Sequence, residues 1–345
     1  MSIHMPAPSL IVDARLANAL RSLVIVSPNE FIFGGQRVPV TAQPDVIGRP
    51  VAPQHALIAA MQAQLYGWAY NRPFDPARPQ PIPQQFTDMN DELSRANPGR
   101  ERWDHGWQVF QVQQDGLIHA HKHGCTHMFL PGQYMATGAV PGGRTPVQQG
   151  AVVSVYLAKE MRNFQDGFYI ALGELVQPYY EQTSLLRLYW NILPEGAAPI
   201  VRELVGRFNR FQVPFRFKCL AYHQLYDRFD AGVLFVGRRR WDITSLLVAE
   251  LYPRLSQYMR PEVPSFTKRV APGLALAEDP GSGDSFGTSR CRLVAEGVWQ
   301  AYQHGMQTEG ARLDAIAAAF TSAGISLTQP WLNPGSVDIY DVRVD

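Results

Sequence analysis

Arg187, Tyr189, Lys218, Arg228, Lys268 and Arg269 are the side chains of this 345-residue chain whose types, taken together, could do chemistry on an anion. Arginine offers a planar fork of donors that fits a phosphate edge, and lysine acts as a point charge. Clustering such cations would depress the pKa of the lysines among them, and a lysine so depressed can act as a base. The same residues also read as solvated strand-face charges, some paired with Asp227 or Asp230. A second candidate is the loop Gly281-Ser282-Gly283-Asp284-Ser285-Phe286-Gly287-Thr288-Ser289-Arg290, which runs into a helix N-terminus. Free N–H groups and the helix dipole attract anions there, with Ser289 and Arg290 as side-chain donors. The alternative is an ordinary N-cap by Ser285 or Thr288, with the arginine in water. No Gly-Lys-Ser/Thr follows, so the loop is not a nucleotide-binding Walker loop.

Two further groups carry less. His119, His121, His123, Cys125 and His127 alternate, so in one straight strand they would share a face that could hold a metal. Gly124 interrupts that strand and no carboxylate completes a ligand set, so no metal site is assigned. Arg238-Arg239-Arg240 reads as a solvated turn rather than a nucleic-acid patch.

The elements that must position these residues are legible in part. Leu186, Leu188, Trp190 and Ile192 fall on one face of a strand, which turns Arg187, Tyr189 and Asn191 to the other. A turn at Pro194-Glu195-Gly196 leads into a helix on Ile200, Leu204, Val205 and Phe208. Pro214 to Leu220 is a second strand, with Phe215, Phe217 and Cys219 alternating with Arg216 and Lys218. Ala231 to Val236, apolar on both faces, is a third and central strand. Helices are predicted over Ser245 to Tyr258 and from Leu293 onward, after an extended piece from Phe266 to about Pro280.

Upstream, helices are predicted at Leu10 to Val26 and His55 to Tyr70. A hairpin turns at Asp115-Gly116 between Trp107–Val112 and Leu117–His123, and Ala151 to Leu157 is another strand. Five prolines among the thirteen residues Asn71–Pro83 mark an exposed linker. The expected fold is α+β: a mixed or antiparallel sheet with flanking helices, a helical N-terminal region over residues 1–100, and a domain over 101–345 that carries the chemistry.

Bulk properties exclude several classes. The formal charge is +1, which gives no general attraction to nucleic acid or anionic lipid, so neither is expected as a partner. Charge is uneven, however: residues 187–292 hold 16 Lys/Arg against 10 Asp/Glu. Three widely spaced cysteines indicate reduced thiols in a cytoplasm rather than a disulfide framework. Neither a membrane span nor a signal-peptide pattern at Met1 to Pro8 is visible.

At Leu186-Arg187-Leu188-Tyr189-Trp190-Asn191, Pro214-Phe215-Arg216-Phe217-Lys218, Tyr226-Asp227-Arg228-Phe229-Asp230-Ala231-Gly232-Val233-Leu234-Phe235, Phe266-Thr267-Lys268 and Gly287-Thr288-Ser289-Arg290, the chain resembles the HopA-type effector family. The likeness covers about residues 55 to 305, with Trp107 and Asp166-Gly167-Phe168-Tyr169 as weaker landmarks. That family includes bacterial type III effectors and the stand-alone lyase subunits of class V lanthipeptide and thioamitide biosynthesis. More distantly, the C-terminal half is similar to phosphothreonine lyases.

The resemblance implies a carbon-oxygen lyase. A kinase-like partner of phosphotransferase fold phosphorylates Ser or Thr of a precursor peptide, and the lyase eliminates phosphate to give dehydroalanine or dehydrobutyrine. No cofactor is implied. In phosphothreonine lyases a Lys-x-His pair on the first strand supplies base and acid, and here that pair falls on Arg187 and Tyr189. Arginine is not deprotonated at neutral pH, so the base role moves. The expectation is Lys218 as base, Tyr189 or Lys268 at the leaving oxygen, and Arg187, Arg228, Arg290 and Ser289 around the phosphate. The rival reading is a non-catalytic effector or a scaffold that binds peptide or kinase.

Overall fold

A computed structural model describes residues 14–45, 47–74, 85–136, 146–306 and 308–342. Most of the proline-rich linker and the first residues of the chain lie outside them. The described helices are α1 (Ala14–Ser22), α2 (Pro53–Leu65), α3 (Asn90–Ala96), α4 (Tyr179–Gln182), α5 (Ala197–Arg210), α6 (Trp241–Leu255), α7 (Phe286–Gln303) and α8 (Glu309–Ser322). The strands are β1 (Val24–Ser27), β2 (Glu30–Phe33), β3 (Gln36–Pro39), β4 (Arg102–Val112), β5 (Ile118–Lys122), β6 (Cys125–Phe129), β7 (Tyr134–Ala136), β8 (Val152–Leu157), β9 (Glu160–Arg162), β10 (Phe168–Leu172), β11 (Leu185–Trp190), β12 (Phe215–Leu220), β13 (Gly232–Gly237), β14 (Lys268–Ala271) and β15 (Leu274–Glu278). The α+β class is as the sequence predicts.

Contacts divide the chain into two units that do not coincide with a cut at residue 100. The first gathers residues 1–84, 227–230 and 261–339, and the second gathers 85–226, 231–260 and 340–345. The reason lies in packing: α2 lies against α7, and α7 against α8. Gly297 on α7 meets Ile316 on α8 so closely that a Cβ there would stand 2.5 Å from the Ile316 Cα. Distant segments therefore close one core.

In the first unit β1, β2 and β3 form an antiparallel sheet and β14 and β15 a hairpin. The helix expected from Leu10 to Val26 stops at Ser22. Val24, Ile25 and Val26 are β-branched and take strand geometry, with Val24 opposite Ile32 and Ile25 opposite Phe31. Pro53 opens α2 at a position where its missing N–H costs nothing, and Leu57, Met61 and Leu65 are its buried stripe. The helix then loosens into a π-turn over Tyr66–Tyr70.

The second unit holds two sheets. One has the order β6-β5-β4-β8-β7 around a core of Trp107, Val109, Ile118, Phe129, Val153 and Val155. The other runs β11-β13-β12-β10-β9, antiparallel throughout. β13 is interior, as its apolar run predicts. On one face of this sheet Leu186, Leu188, Trp190, Leu234, Val236 and Phe217 are buried, and α5 and α6 are the unit's helices that pack on its strands. Gly232 allows that packing: a Cβ would fall 2.4 Å from the Ile192 Cδ1. Each fully buried leucine or valine contributes about 1.5–3 kcal/mol, so this face fixes which way the alternating polar residues point.

One polar knot secures the β9–β10 edge. Tyr169 donates to Glu160 Oε2 at 2.6 Å and accepts from Asn97 Nδ2 at 2.8 Å, while Ser94 and Arg162 donate to Glu160 Oε1 at 2.9 and 2.7 Å. Burial and the Glu160 carboxylate push the Tyr169 phenol far above its ordinary range. Removing its hydroxyl takes a charge-assisted bond from a buried group. Tyr169→Phe is expected to lower stability by about 1.5–3 kcal/mol, read as a lower urea midpoint with unchanged slope; an unchanged midpoint would refute the coupling.

Candidate functional site

The residues that could do chemistry sit on the second unit's sheet, on the face away from the buried leucines. Antiparallel pairing puts directly opposed residues on one side. Arg187 on β11 stands opposite Phe235 on β13, which stands opposite Arg216 on β12. One step along, Tyr189, Val233 and Lys218 form the next row and continue to Ile170 on β10. Arg187, Tyr189, Arg216 and Lys218 thus share a face, as their alternation with apolar residues predicts.

The rings beneath position the charges. The Arg187 guanidinium lies 5.3 Å and that of Arg216 4.6 Å from the Phe235 ring centre, so both lean on one aromatic. Their guanidinium carbons are therefore no more than about 10 Å apart. A phosphate between them could accept from both. Lys218 Nζ sits 3.8 Å over Phe168 and donates to Gln165 Oε1 at 2.9 Å. Tyr189 is buried, at 3% exposure. Arg216 and the aromatic floor of Phe235 and Phe168 were not among the predicted site residues. The signal for Arg216 was present, because it lies two residues before Lys218 on the same strand.

The other predicted residues belong to the first unit, and each has local partners there. Arg228 donates from Nε and Nη2 to the two oxygens of Asp230, each at 2.8 Å, and from Nη2 to the Tyr66 hydroxyl at 3.2 Å. Burial would lower its pKa, but the Asp230 carboxylate outweighs this and raises it further. Lys268 pairs with Asp338 at 2.9 Å. Arg290 is 1% exposed, with Nε on the Pro330 carbonyl at 2.7 Å, Nη2 on the Leu332 carbonyl at 3.0 Å, and its head 4.7 Å from the Phe286 ring. Ser289 is half-buried, and its hydroxyl accepts from Arg290 Nη1 at 3.3 Å.

The loop before α7 takes the simpler of its two expected forms. Ser285 is the N-cap, and its Oγ accepts from the Thr288 N–H at 3.1 Å. Gly287 serves close packing, since a Cβ there would fall 2.3 Å from the Tyr70 ring. Gly287→Ala is expected to destabilise the protein by about 1–3 kcal/mol, seen as a lower denaturation midpoint. Wild-type stability in that variant would show the ring to be free to move.

As the interruption at Gly124 suggests, the turn at His123-Gly124 folds the histidine run into two strands, with Ala120 opposite His127 and Lys122 opposite Cys125. His119 and His121 therefore face one side of the hairpin, and His127 the other. No cluster suited to a metal occurs among the described residues. Arg238 and Arg240 are not simply solvated: Arg238 Nε donates to the Tyr340 hydroxyl at 2.9 Å and Arg240 Nε to the buried Glu181 at 3.0 Å. Cys219 and Cys291 are buried, Cys125 is half-buried, and all are free thiols. Among the described residues no helix is long and apolar enough to cross a membrane.

The model of the HopA1 effector protein family matches residues 160–332, half of the chain, and all seven predicted site residues lie within that segment. Among solved structures, an effector protein from Pseudomonas syringae pv. tomato strain DC3000 is 16% identical, with a TM-score of 0.38 over 48% of this chain and 63% of that one. An effector protein from Pseudomonas syringae pv. syringae strain 61 is 14% identical, with a TM-score of 0.32 over the same shares. Less than two thirds of either effector's length is thus covered. No curated protein matches. By the match over half its length, which contains the strands that carry the cationic face, the chain belongs to the HopA1 effector protein family.

Proposed function

We propose that the protein is a carbon-oxygen lyase that eliminates phosphate from phosphoserine or phosphothreonine of a ribosomally made precursor peptide. This is the role that its resemblance to the stand-alone lyases of class V lanthipeptide and thioamitide biosynthesis implies. The observation that supports it is the pair Arg187 and Arg216 in one row of a sheet face, with Tyr189 and Lys218 in the next row of that face.

In this reading Arg187 and Arg216 hold the phosphate from opposite sides of Phe235. Neither gives up its proton at neutral pH, so both bind and neither acts as base. Lys218, as the free amine, takes the proton from Cα. The electron pair left behind forms the Cα=Cβ bond as the Cβ–O bond breaks, and phosphate departs with the bonding electrons. A proton from Tyr189 to the leaving oxygen makes the product hydrogen phosphate. The guanidinium groups stabilise charge on the phosphate as it leaves, where fixed cations are most effective. Arg228, Arg290 and Lys268, which the sequence suggested as further phosphate or proton groups, are assigned structural roles through Asp230, the Pro330 and Leu332 carbonyls, and Asp338.

The direct test is a synthetic phosphothreonine peptide from the precursor, incubated with the full chain and its kinase-like partner. The expected product has lost phosphoric acid by mass and adds a thiol at the new double bond. Persistence of the full phosphorylated mass overturns the proposal.

A further inference from the structure

We propose that the apolar cavity at the Arg216 end of the cationic face is a subsite for one large apolar side chain of the phosphopeptide, two or three residues from the phosphorylated one. This deepens the lyase reading and rests on it. The cavity has a volume of about 430 Å³ and lies wholly within the second unit, between its two sheets. That is in the range of specific ligand pockets.

Its walls include Phe129, Leu157, Met161, Leu172, Leu185 and Phe215. Leu172 is the cross-strand partner of Arg216, and Leu185 lies two residues before Arg187 on the same strand face. Cavity and cations therefore form one continuous surface, with Arg216 belonging to both. A strand rises about 3.3 Å per residue, so Arg216 and Lys218 are spaced by roughly two extended residues. A peptide whose phosphate sits between Arg187 and Arg216 would bring a side chain two or three positions away to the cavity mouth.

Charge and hydrogen bonding narrow the occupant. Among the described residues no carboxylate lines the cavity, and burial lowers the pKa of His127, which keeps that ring neutral at neutral pH. Among the described residues Arg216 is then the single formal charge of the lining, its guanidinium 4.6 Å from the Phe235 ring centre on the cationic face, and the rest of the lining favours an apolar group. Gln177 also lines the cavity, and its buried Nε2 is a donor without a partner among the described residues. A peptide carbonyl would supply the acceptor.

The test uses chemically phosphorylated threonine peptides in which each position within three residues of the phosphothreonine is leucine or serine in turn. For the wild-type chain, kcat/KM is expected to favour leucine over serine by about 10- to 100-fold at one position. Ala158→Trp, which fills the cavity from its half-exposed edge, should abolish that preference, read as the ratio of the two peptides' kcat/KM. Met161→Ala, which enlarges it, should move the preference from leucine towards tryptophan, a shift that misfolding does not mimic. Equal rates for leucine and serine at every position, or a preference untouched in both variants, would overturn the subsite while the lyase reading stands. No elimination from any peptide would overturn the lyase reading itself, and the subsite with it.

Discussion

Lys218→Ala is expected to lower the rate of phosphate elimination by about 10²- to 10⁴-fold, the usual contribution of a positioned general base. The ammonium of Lys218 sits over Phe168 and against Gln165, on the same face as Arg187 and Arg216, so the substitution leaves the buried side of β12 untouched. Two controls separate a base from a mere charge. Lys218→Arg keeps the positive charge but cannot release a proton, and should be as inactive as the alanine variant. A small primary amine added to Lys218→Ala should restore part of the rate, with a pH profile that follows the added amine. Arg187→Ala and Arg216→Ala should instead raise KM with a smaller loss in kcat, because they remove binding of the phosphate. Normal turnover in Lys218→Ala would spare the reaction class and refute the assignment.

The second large effect concerns stability. Arg290→Met is expected to cost about 3 kcal/mol, since it strands the buried Pro330 and Leu332 carbonyls that the guanidinium now joins. Arg290→Lys should rescue little, because one ammonium does not reproduce a planar fork reaching two fixed acceptors. Chemical denaturation reads this directly as a lower midpoint. The contrast with the cationic sheet face is the point of the measurement. A phosphate ligand at this position would show full stability and a raised KM, and that outcome would return Arg290 to the site and dissolve its structural role.

Much of the local structure is legible in the chain itself. The alternation along Leu185–Trp190 and Phe215–Leu220 gave both strands and the side on which Arg187, Tyr189, Arg216 and Lys218 lie, because a strand exposes its residues with a period of two. Helix α5 followed from its apolar stripe, and the hairpin between β4 and β5 from Asp115-Gly116. The reading failed where periodicity was weak: Val24 to Val26 left the expected helix for a sheet because the partner Glu30–Phe33 was adjacent.

What the sequence determined by itself was therefore local: which residues alternate, which stretches are helices, and that basic side chains outnumber acidic ones late in the chain. Tertiary structure decided what each of those cations meets. Arg228 and Lys268 meet carboxylates, Arg290 meets main-chain carbonyls, and Arg187 and Arg216 flank a single phenylalanine on the strand between them. The physical reason is that a charge's role depends on its neighbours within a few ångströms, and for Arg228 alone those neighbours lie two residues away at Asp230 and 162 away at Tyr66. Periodicity orients a side chain, and only the pairing of strands and the closure of a core choose what it meets.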